Sequence, residues 1–309
     1  MSTEWDTRHE ANIYKWKQID DIRLVPEGRQ RHVVEPDVSK GNVLALDGLV
    51  IPRDSDTLFV GFHGALVRDK VDLPRFEWLR TLEPTRSESL LFIADTTLEL
   101  DEKISIAWYI VTQEDNLTAR LADYIRHIAN LCGATKVVLA GNSAGGYASI
   151  AVGSRIQGSI AIAVSPQSAV RAYAPWTHAH LHRVSFPTFN SFRAAEESDI
   201  SRFDLIHLLS QERAEDSRYW YVQNIGDQSH YEDHYLPFAT AFDVDVTGGI
   251  TKDGRGRLSI EDWGEGHVAP PIPRFREIID EALRGDPWVP SNDTVADRGR
   301  TEDVLIDKS

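Results

Sequence analysis

The sequence predicts an α/β fold in which helices cover both faces of a mostly parallel central sheet. From about residue 43, short β-branched or apolar runs alternate with helical patterns, which is typical of βαβ units. Several of these runs are almost continuously apolar, as strands buried on both faces should be. The chain has 309 residues, of which 41% are hydrophobic, and this is enough for one large domain with a sizeable core.

The individual elements follow from the periodicity of the apolar residues. From Leu117 to Leu131 apolar side chains recur at helical spacing, and Gly133 follows as a stop signal. A second helical run covers residues 273–283. A short strand is also predicted at residues 22–25. The main predicted strands are residues 43–51, 57–62, 90–94, 105–111, 136–140, 159–164, 219–224 and 242–246.

Changes in composition predict the boundaries of the domain. Residues 1–40 are polar and mixed, and we interpret them as an N-terminal extension. The α/β domain is predicted to span residues 41–285. Within it, residues 167–215 fit neither the strand nor the helix pattern well and carry Pro175 and Pro187, which indicates a lid insertion. Residues 286–309 are polar and acidic and are predicted to form a flexible C-terminal tail.

Composition excludes several classes of partner. A formal net charge of -15 at pH 7 repels nucleic-acid phosphates, and no compact Lys/Arg run offsets it. No apolar run approaches the roughly 18 residues that cross a bilayer, and the first residues lack a secretory pattern, so a cytoplasmic location is predicted. Cys132 is the single cysteine, which excludes an internal disulfide and a thiolate metal cluster.

The motif that carries chemistry is Gly-Asn-Ser-Ala-Gly at residues 141–145. Such a pattern arises easily by chance, but here it follows an apolar β-branched run and precedes a helix start. A strand, a sharp turn and a helix form a nucleophile elbow, in which flanking glycines let strand and helix approach closely. The helix N-terminus also brings a positive dipole end to the site. Ser143 is therefore the predicted nucleophile.

This unit resembles the α/β-hydrolase superfamily. Residues 57–62 lead into His63, Gly64 and Ala65, which is similar to the His-Gly oxyanion loop of many members. The resemblance implies that the N–H of Ala144 acts with that of Gly64 or Ala65 as an oxyanion hole. The longer His-Gly-Gly-Gly form is absent, so the similarity to the hormone-sensitive-lipase branch is incomplete. We interpret His63 as a loop-shaping residue that also borders the pocket.

The superfamily order of nucleophile, acid and histidine implies the remaining partners. His267 lies in a glycine-flanked loop before the last helical run, which makes it the predicted base. Asp227 follows the strand at residues 219–224 and is the predicted acid. Asn142 and Gln167 are candidate pocket residues, because Gln167 ends the strand after the elbow helix at the ligand-binding edge of the sheet. Alternatives for the acid are Asp233, Asp243, Asp262 and Glu265.

Two histidine groupings raise the question of a metal site. A strand would point His178, His180 and His182 to one side, whereas a helix or loop would scatter them; we favour a lid or substrate-facing segment. Asp227 with His230 and His234 at helical spacing is a second grouping. The zinc-protease pattern needs a Glu after its first histidine, where this chain has a tyrosine. A surface helix is the favoured interpretation, and neither a metal nor a cofactor is predicted.

Together these features predict a serine hydrolase that cleaves an ester-type acyl bond through a Ser-His-Asp triad and an acyl-enzyme. An acyltransferase with the same triad and a non-catalytic hydrolase-fold scaffold are the alternatives. The segments Gly-Asn-Ser-Ala-Gly-Gly-Tyr-Ala-Ser, Ser-Pro-Gln, Gly-Asp-x-x-His and Gly-His-Val-Ala-Pro resemble hydrolase-like proteins of bacterial surface-glycan synthesis and accessory secretion. That resemblance implies a glycan-linked acyl ester as substrate. A small-molecule acyl ester is the alternative. Oligomeric state stays open.

Overall fold

The computed structural model describes residues 4–211, residues 213–284 and Trp288. Its central feature is an 11-stranded sheet, in agreement with the predicted fold class. The strands are β1 (Glu4–Asp6), β2 (Ala11–Trp16), β3 (Gln30–Val34), β4 (Leu46–Ile51), β5 (Thr57–Phe62), β6 (Ser89–Ile93), β7 (Lys136–Asn142), β8 (Ile160–Val164), β9 (Arg218–Asn224), β10 (Gly248–Ile250) and β11 (Gly256–Glu261).

The strand order is β1-β2-β3-β4-β6-β5-β7-β8-β9-β11-β10. The centre of the sheet is parallel, from β6 through β5, β7, β8 and β9 to β11. Antiparallel pairs lie towards the edges, where β4 joins β6 and β10 joins β11. Phe62 at the end of β5 lies opposite Gly141 near the end of β7. The loops that follow these two strands therefore leave the same edge of the sheet side by side.

Helices cover both faces of this sheet, as predicted. Helix α2 begins after Asn116, whose side chain accepts a hydrogen bond of 3.2 Å from the Ala119 N–H, and it ends at Gly133 in the left-handed region. The helices are α1 (Leu79–Leu82), α2 (Leu117–Cys132), α3 (Ala144–Gly153), α4 (Pro175–Ser185), α5 (Phe192–Ser198), α6 (Leu205–Ser210), α7 (Gln228–His230), α8 (Leu236–Ala241) and α9 (Ile272–Arg284); a π-helical turn at Tyr231–Tyr235 joins α7 to α8.

Alternate side chains of the strands point to opposite layers of the core. On one face, Leu58 and Val60 of β5 pack with Ile125 of α2 and Ala148 of α3. On the other face, Phe59 of β5 packs in a cluster with the buried side of α9. This alternation buries every residue of β5 and holds the elbow helix α3 against the middle of the sheet.

The segment 167–215 packs on the same face as α3. It contains α4, α5 and α6 with short 3-10 turns, and it buries Leu181, Phe186, Phe203 and Leu205 in a cluster with Tyr147 of the elbow helix. Its backbone is tied to the loop after β8, since the Leu205 N–H donates to the Ser168 carbonyl at 2.8 Å. These helices therefore cover the region next to the elbow.

The N-terminal residues continue the sheet beyond β4. Strand β3 pairs antiparallel with β4 and parallel with β2, and β1 adds an edge. A buried ion pair of 2.6 Å joins Arg31 on β3 to Asp47 on β4. Residues 4–34 thus share hydrogen bonds and an ion pair with the rest of the domain.

Three of the predicted strands are wrong. Residues 105–111 form turns in which Trp108, Tyr109 and Val111 have positive φ, outside the β region that extended non-glycine residues occupy. Residues 22–25 and 242–246 are also outside strands. The last segment closes α8, because the Val244 N–H donates to the Ala239 carbonyl at 3.0 Å.

The predicted helices at residues 117–131 and 273–283 are confirmed as α2 and α9. Strands β1, β2, β3, β10 and β11 were not predicted from the sequence. The predicted tail at 286–309 lies outside the described residues apart from Trp288. Among the described helices, none is both long and apolar enough to cross a bilayer.

Candidate active site

Ser143 occupies a strained turn between β7 and α3. Its backbone has φ 57° and ψ -124°, which L-residues rarely adopt. The turn is tight enough to require glycine at its flanks. A Cβ on Gly141 would come within 2.3 Å of the Gly145 backbone, and one on Gly145 within 2.7 Å of the Phe62 carbonyl oxygen. The elbow predicted from the sequence pattern therefore has the geometry that places the serine side chain above the sheet edge.

The loop after β5 lies directly against this turn. A Cβ on Gly64 would be 3.0 Å from the Asn142 carbonyl and 3.4 Å from the Ser143 Cβ. Within the described chain, the N–H groups of Gly64 and Ala65 donate to no protein acceptor. Both are thus available to an oxyanion beside Ser143. The Asn142 side chain lies in the same region, and its buried Oδ1 has no partner among the described residues.

His63 has both ring nitrogens engaged by backbone. Its Nε2 accepts a hydrogen bond of 3.0 Å from the Asp95 N–H, so the proton lies on Nδ1, which donates to the Gly64 carbonyl at 2.8 Å. Burial lowers the pKa of His63, which keeps the ring neutral in this role. The arrangement fits the loop-shaping interpretation of this residue.

The loops that carry Asp227 and His267 lie side by side at the carboxyl ends of two neighbouring strands. Asp227 follows β9 and His267 follows β11, and these strands are parallel neighbours whose ends, Asn224 and Glu261, are in register. Their loops touch closely, since a Cβ on Gly226 would be 2.1 Å from the Gly264 carbonyl oxygen. As a result, the Nδ1 of His267 lies 2.5 Å from the Oδ2 of Asp227.

Asn224 fastens the histidine loop, and the sequence reasoning did not identify it. Its buried side-chain amide donates to the carbonyls of Gly264 at 2.9 Å and Gly266 at 3.1 Å. Its Oδ1 accepts from the N–H groups of Gly226 and Trp263, each at 3.3 Å. One side chain thereby connects the acid loop with the loop that carries His267. Its position at the carboxyl end of a parallel strand was the available signal.

A second histidine binds the same carboxylate. The Nδ1 of His230, in α7, lies 3.1 Å from Oδ1 and 3.0 Å from Oδ2 of Asp227. Its ring stacks on that of His267 with centroids 3.9 Å apart and planes 9° from parallel. Burial raises the pKa of Asp227, but the hydrogen bonds and charges of the two histidines outweigh it and lower that pKa. Burial is also the main cause that lowers the pKa of His230, so Asp227 is the charged member.

Gln167 stands between Ser143 and this pair. Its Nε2 lies 2.9 Å from Ser143 Oγ and 2.8 Å from the Nε2 of His230. Its Oε1 accepts a hydrogen bond of 3.0 Å from the indole N–H of Trp108. Among the described contacts, Ser143 Oγ makes no hydrogen bond to His267. Asp227 therefore contacts His267 directly, and in the described part of the chain Ser143 is linked to Asp227 through Gln167 and His230.

The chain matches no protein-family model and no curated protein, but solved structures resemble it. The fluorophosphonate-binding serine hydrolase FphF of Staphylococcus aureus superposes with a TM-score of 0.50 at 11% identity, over 84% of this chain and 98% of that one. This chain has the α/β-hydrolase fold.

Two further solved structures are similar to this chain. The capsule O-acetyltransferase of Neisseria meningitidis serogroup A has a TM-score of 0.52 and 15% identity, over 78% of this chain and 94% of that one. The glycosylation associate protein (Gap123) complex of Streptococcus agalactiae has a TM-score of 0.53 and 11% identity, over 84% of this chain and 46% of that one.

Within the α/β-hydrolase fold, the other carboxylates considered for the acid lie on the surface. Asp233, Asp243, Asp262 and Glu265 are all exposed. In the part of the chain that the structure describes, His267 hydrogen-bonds to Asp227 and to none of these four. Asp227 is itself buried. The placement of the carboxylates therefore favours Asp227 as the partner of His267.

Among the residues that the structure describes, Asp227, His230 and His267 form a group with donor atoms suited to a metal, and these atoms lie within 4.8 Å of one another. The nitrogen-to-oxygen distances of 2.5 and 3.1 Å are those of N–H···O hydrogen bonds. Ligands around a zinc ion with bonds of about 2.0–2.1 Å stand roughly 3.3 Å apart in tetrahedral geometry. The cluster thus fits a carboxylate that accepts two hydrogen bonds better than a ligand set.

The other histidines raised by the sequence are dispersed. On helix α4 the rings of His178, His180 and His182 contact the Tyr173 carbonyl, the Asp101 carboxylate and the Phe189 carbonyl respectively. This dispersion is what a helix predicts. His234 lies outside the cluster around Asp227, and burial lowers its pKa to about 3.

Proposed function

We propose that this protein is a serine hydrolase that cleaves an ester-type acyl bond through Ser143, His267 and Asp227. The observation that carries the proposal is the strained backbone of Ser143, φ 57° and ψ -124°, at a strand–helix elbow whose serine hydroxyl is linked to Asp227 through Gln167 and His230. Strain of this kind costs roughly 1–3 kcal/mol and persists mainly where function requires it.

The hydrogen-bond pattern supports His267 rather than His230 as the base. Each histidine directs Nδ1 to Asp227. The Nε2 of His230 is already engaged with Gln167, whereas that of His267 has no partner among the described residues and its side chain is 29% exposed. His267 therefore has the free nitrogen that a general base needs, with Asp227 to orient it and stabilise the imidazolium.

The proposed reaction proceeds in two halves. The Ser143 hydroxyl gives its proton to His267 and attacks the carbonyl carbon, while the N–H of Ala144 and that of Gly64 or Ala65 bind the oxyanion. The intermediate collapses, His267 protonates the departing oxygen, and an acyl-enzyme remains. Water then repeats the sequence and releases the acid. Since the Ser143 hydroxyl does not contact His267 in this state, the His267 ring must come within hydrogen-bond distance of Ser143 Oγ before the proton transfer.

The first experiment uses Ser143→Ala with p-nitrophenyl acetate and a fluorophosphonate probe. We expect the wild type to be labelled and to turn over the ester, and the variant to lose both. The matched control is Ser149→Ala, which removes a buried hydroxyl of the elbow helix that bonds only backbone carbonyls at 2.8 and 2.9 Å. Full ester turnover by Ser143→Ala would falsify the assignment. A wild type that neither turns over esters nor reacts with the probe would indicate the scaffold alternative.

Acyl transfer is the second candidate. It is favoured by the burial of Ser143, which is only 4% exposed, and by the similarity to the capsule O-acetyltransferase. An acyltransferase excludes water and admits an alcohol acceptor. Product analysis with and without carbohydrate alcohols distinguishes the two: transfer gives a new ester at the expense of free acid, and hydrolysis gives free acid in both cases.

The proposed substrate is a small-molecule or glycan-linked acyl ester. The similarity to the capsule O-acetyltransferase and to the glycosylation associate protein complex favours an ester on a carbohydrate. The proposed chemistry requires neither metal nor cofactor, and a cytoplasmic location is part of the proposal. Comparing O-acetylated oligosaccharides with simple acetate esters of equal leaving-group reactivity tests the substrate class, because recognition of the sugar raises kcat/KM for the former alone.

A further inference from the structure

We propose that Gln167 is a further catalytic residue, whose side-chain amide donates a hydrogen bond to the Ser143 oxygen as that oxygen forms and breaks its bond to the acyl group. The inference rests on the proposed function, because it takes Ser143 Oγ as the reacting atom. The side chain of Gln167 is fully buried, and its Nε2 lies 2.9 Å from Ser143 Oγ and 2.8 Å from His230 Nε2.

Trp108 fixes which end of the amide faces Ser143. An indole N–H can only donate, and that of Trp108 lies 3.0 Å from Gln167 Oε1. The oxygen end therefore faces Trp108 and the NH₂ end faces Ser143. A flipped amide would set its NH₂ group against the indole N–H and leave buried donors without acceptors, which disfavours it.

The same reasoning fixes the proton on His230. Both hydrogens of the Gln167 NH₂ are directed to acceptors, so the Nε2 of His230 must be unprotonated. Its proton is then on Nδ1, which faces the Asp227 carboxylate at 3.1 Å. From Trp108 through Gln167 and His230 to Asp227, a donor meets an acceptor at every contact, and such satisfied buried networks hold their members in one arrangement.

The Oγ atom of Ser143 can therefore interact with three different groups at the same time. One lone pair accepts the Gln167 N–H, the second is free for the carbonyl carbon, and the hydroxyl hydrogen is free to go to His267. In acylation the Oγ–carbon bond forms, the carbonyl π electrons move to the oxyanion, and the proton goes to His267. In deacylation the Oγ–carbon bond breaks and Oγ recovers a proton. Gln167 keeps its own protons and stabilises the partial negative charge on Oγ in both steps.

Backbone strain at Trp108 supports this assignment independently. Trp108, Tyr109 and Val111 have φ of 51°, 59° and 68°, a conformation that is unfavourable for residues other than glycine and persists only where the surrounding structure enforces it. Side chains enforce the segment: Asp95 Oδ2 accepts from the Tyr109 N–H at 2.9 Å, and Thr97 Oγ1 from the Val111 N–H at 3.2 Å. The strained segment directs the buried Trp108 indole at Gln167.

The decisive variant is Gln167→Met, which keeps the shape of the side chain and removes the donor. We expect kcat for p-nitrophenyl acetate to fall by about 10²-fold, the effect of one lost donor to a developing negative charge, with KM changed little. The rate of fluorophosphonate labelling should fall in parallel. Gln30→Met is the control, because Gln30 is equally buried but bonds only the Val25 backbone, at 2.8 Å; its kcat should stay at the wild-type value.

Trp108→Phe tests the orientation step. It keeps a ring and removes the indole N–H, so the amide can turn and kcat should fall less than in Gln167→Met. The double variant should match Gln167→Met alone, since two members of one network are not additive. Trp220→Phe is the control, as the Trp220 indole donates to Ser259 Oγ at 2.8 Å away from the site. Circular dichroism and thermal melting verify the fold of every variant.

The outcomes separate the inference from the proposed function. A wild-type kcat in folded Gln167→Met, together with an inactive Ser143→Ala, overturns the inference and leaves the function intact. Additive losses in the double variant overturn the role of Trp108. If Gln167→Met does not fold, Gln167→Glu is used instead, because it has the same shape and replaces the donor by an acceptor. A wild-type kcat in Gln167→Glu would also overturn the inference. An unreactive wild type contradicts the proposed function itself.

Discussion

Two residues with strained backbones, Ser143 and Trp108, both contact the side chain of Gln167. Ser143 has φ 57° and Trp108 has φ 51°, and their side chains contact opposite ends of the Gln167 amide. The turn at Ser143 is held by its own N–H, which donates to the Val164 carbonyl at 2.9 Å. Strain that recurs on both sides of one buried amide indicates that the position of that amide, as well as that of the nucleophile, is fixed by the fold.

Asp227→Asn should reduce kcat by roughly 10³–10⁴-fold, because an amide accepts poorly and can present its NH₂ to the imidazole, which then takes the wrong tautomer. The loss should be of this size because Asp227 accepts hydrogen bonds from both His267, at 2.5 Å, and His230, at 3.1 Å. Steady-state kinetics with p-nitrophenyl acetate at pH 7.5 measures the effect.

Asp233→Asn is the matched control for that substitution. Asp233 lies six residues after Asp227, is exposed, and makes no hydrogen bond to His230 or His267 among the described contacts. Its substitution by Asn therefore makes the same change of charge without removing such a bond. We expect near wild-type kcat. Equal losses in the two variants would mean that net charge, rather than the carboxylate between the histidines, sets the rate.

At the residue level, the sequence predicts groups that belong to a motif and misses groups that act through tertiary contacts. Ser143, Asp227 and His267 are predicted because a superfamily order relates them along the chain. Asn224 and Trp108 are not predicted. Asn224 bonds Gly264 and Gly266, which are 40 and 42 residues away, and Trp108 bonds Gln167, which is 59 residues away; no local pattern records such pairs. His230 is only three residues from Asp227, and the sequence grouped the two only when a metal site was considered.

At the level of elements, the strand–turn–helix unit around Ser143 sets a steric limit that can be tested. Gly145→Ala should abolish activity and lower the melting temperature strongly, because its Cβ would lie 2.7 Å from the Phe62 carbonyl and 2.9 Å from the His63 carbonyl. Both atoms are backbone and cannot move aside cheaply, so the helix must shift away from the oxyanion loop. Thermal melting and ester turnover measure the two effects.

Gly133→Ala provides the comparison for Gly145→Ala. Gly133 ends α2 with φ 69° and has open space around its would-be Cβ. The substitution therefore introduces only left-handed strain, about 1 kcal/mol, and should leave kcat unchanged. Retained activity in Gly145→Ala would show that the elbow is looser than its contacts indicate.

The elements that the sequence predicted correctly are those with strong local periodicity. Helix α2 has a continuous apolar stripe, a capping Asn116 and a terminal glycine, and β5 is buried at every position. The segment 105–111 was misjudged because its apolar residues are buried without being extended: side chains of Asp95 and Thr97 take the backbone N–H groups that a strand would offer. A run of apolar residues is expected for any buried segment, so the composition of residues 105–111 does not distinguish a buried turn from a strand.

Across the whole molecule, the sheet extends well beyond the strands that carry the site. The site lies at the ends of β5, β7, β9 and β11, whereas β1, β2 and β3 continue the sheet past β4. Short polar strands at an edge have weak sequence signals, since their alternation is broken by charged residues that pair with neighbours, such as Arg31 with Asp47. These strands bury His32, which gives the global stability a pH dependence.

His32 should make the protein less stable as the pH falls from about 6.5 to about 4. Burial lowers its pKa from 6.5 to about 4. Its Nδ1 accepts a hydrogen bond from the Trp16 indole N–H at 3.0 Å. Protonation of Nδ1 would therefore place two N–H donors, those of His32 and Trp16, opposite each other. Because the unfolded chain takes up the proton first, the folding stability present above pH 6.5 is lost between these values, by roughly 3 kcal/mol for this group.

The pH dependence of urea denaturation in wild type and His32→Phe measures this contribution. The variant keeps an aromatic ring in the stack with Tyr14 and Trp16 and loses the titrating group. Its free energy of unfolding should therefore fall less between pH 7.5 and pH 4.5 than that of the wild type, whatever its value at neutral pH. Identical slopes would contradict the prediction, because His234, whose pKa is lowered to about 3, and the acidic residues act equally in both proteins and leave His32 as the difference.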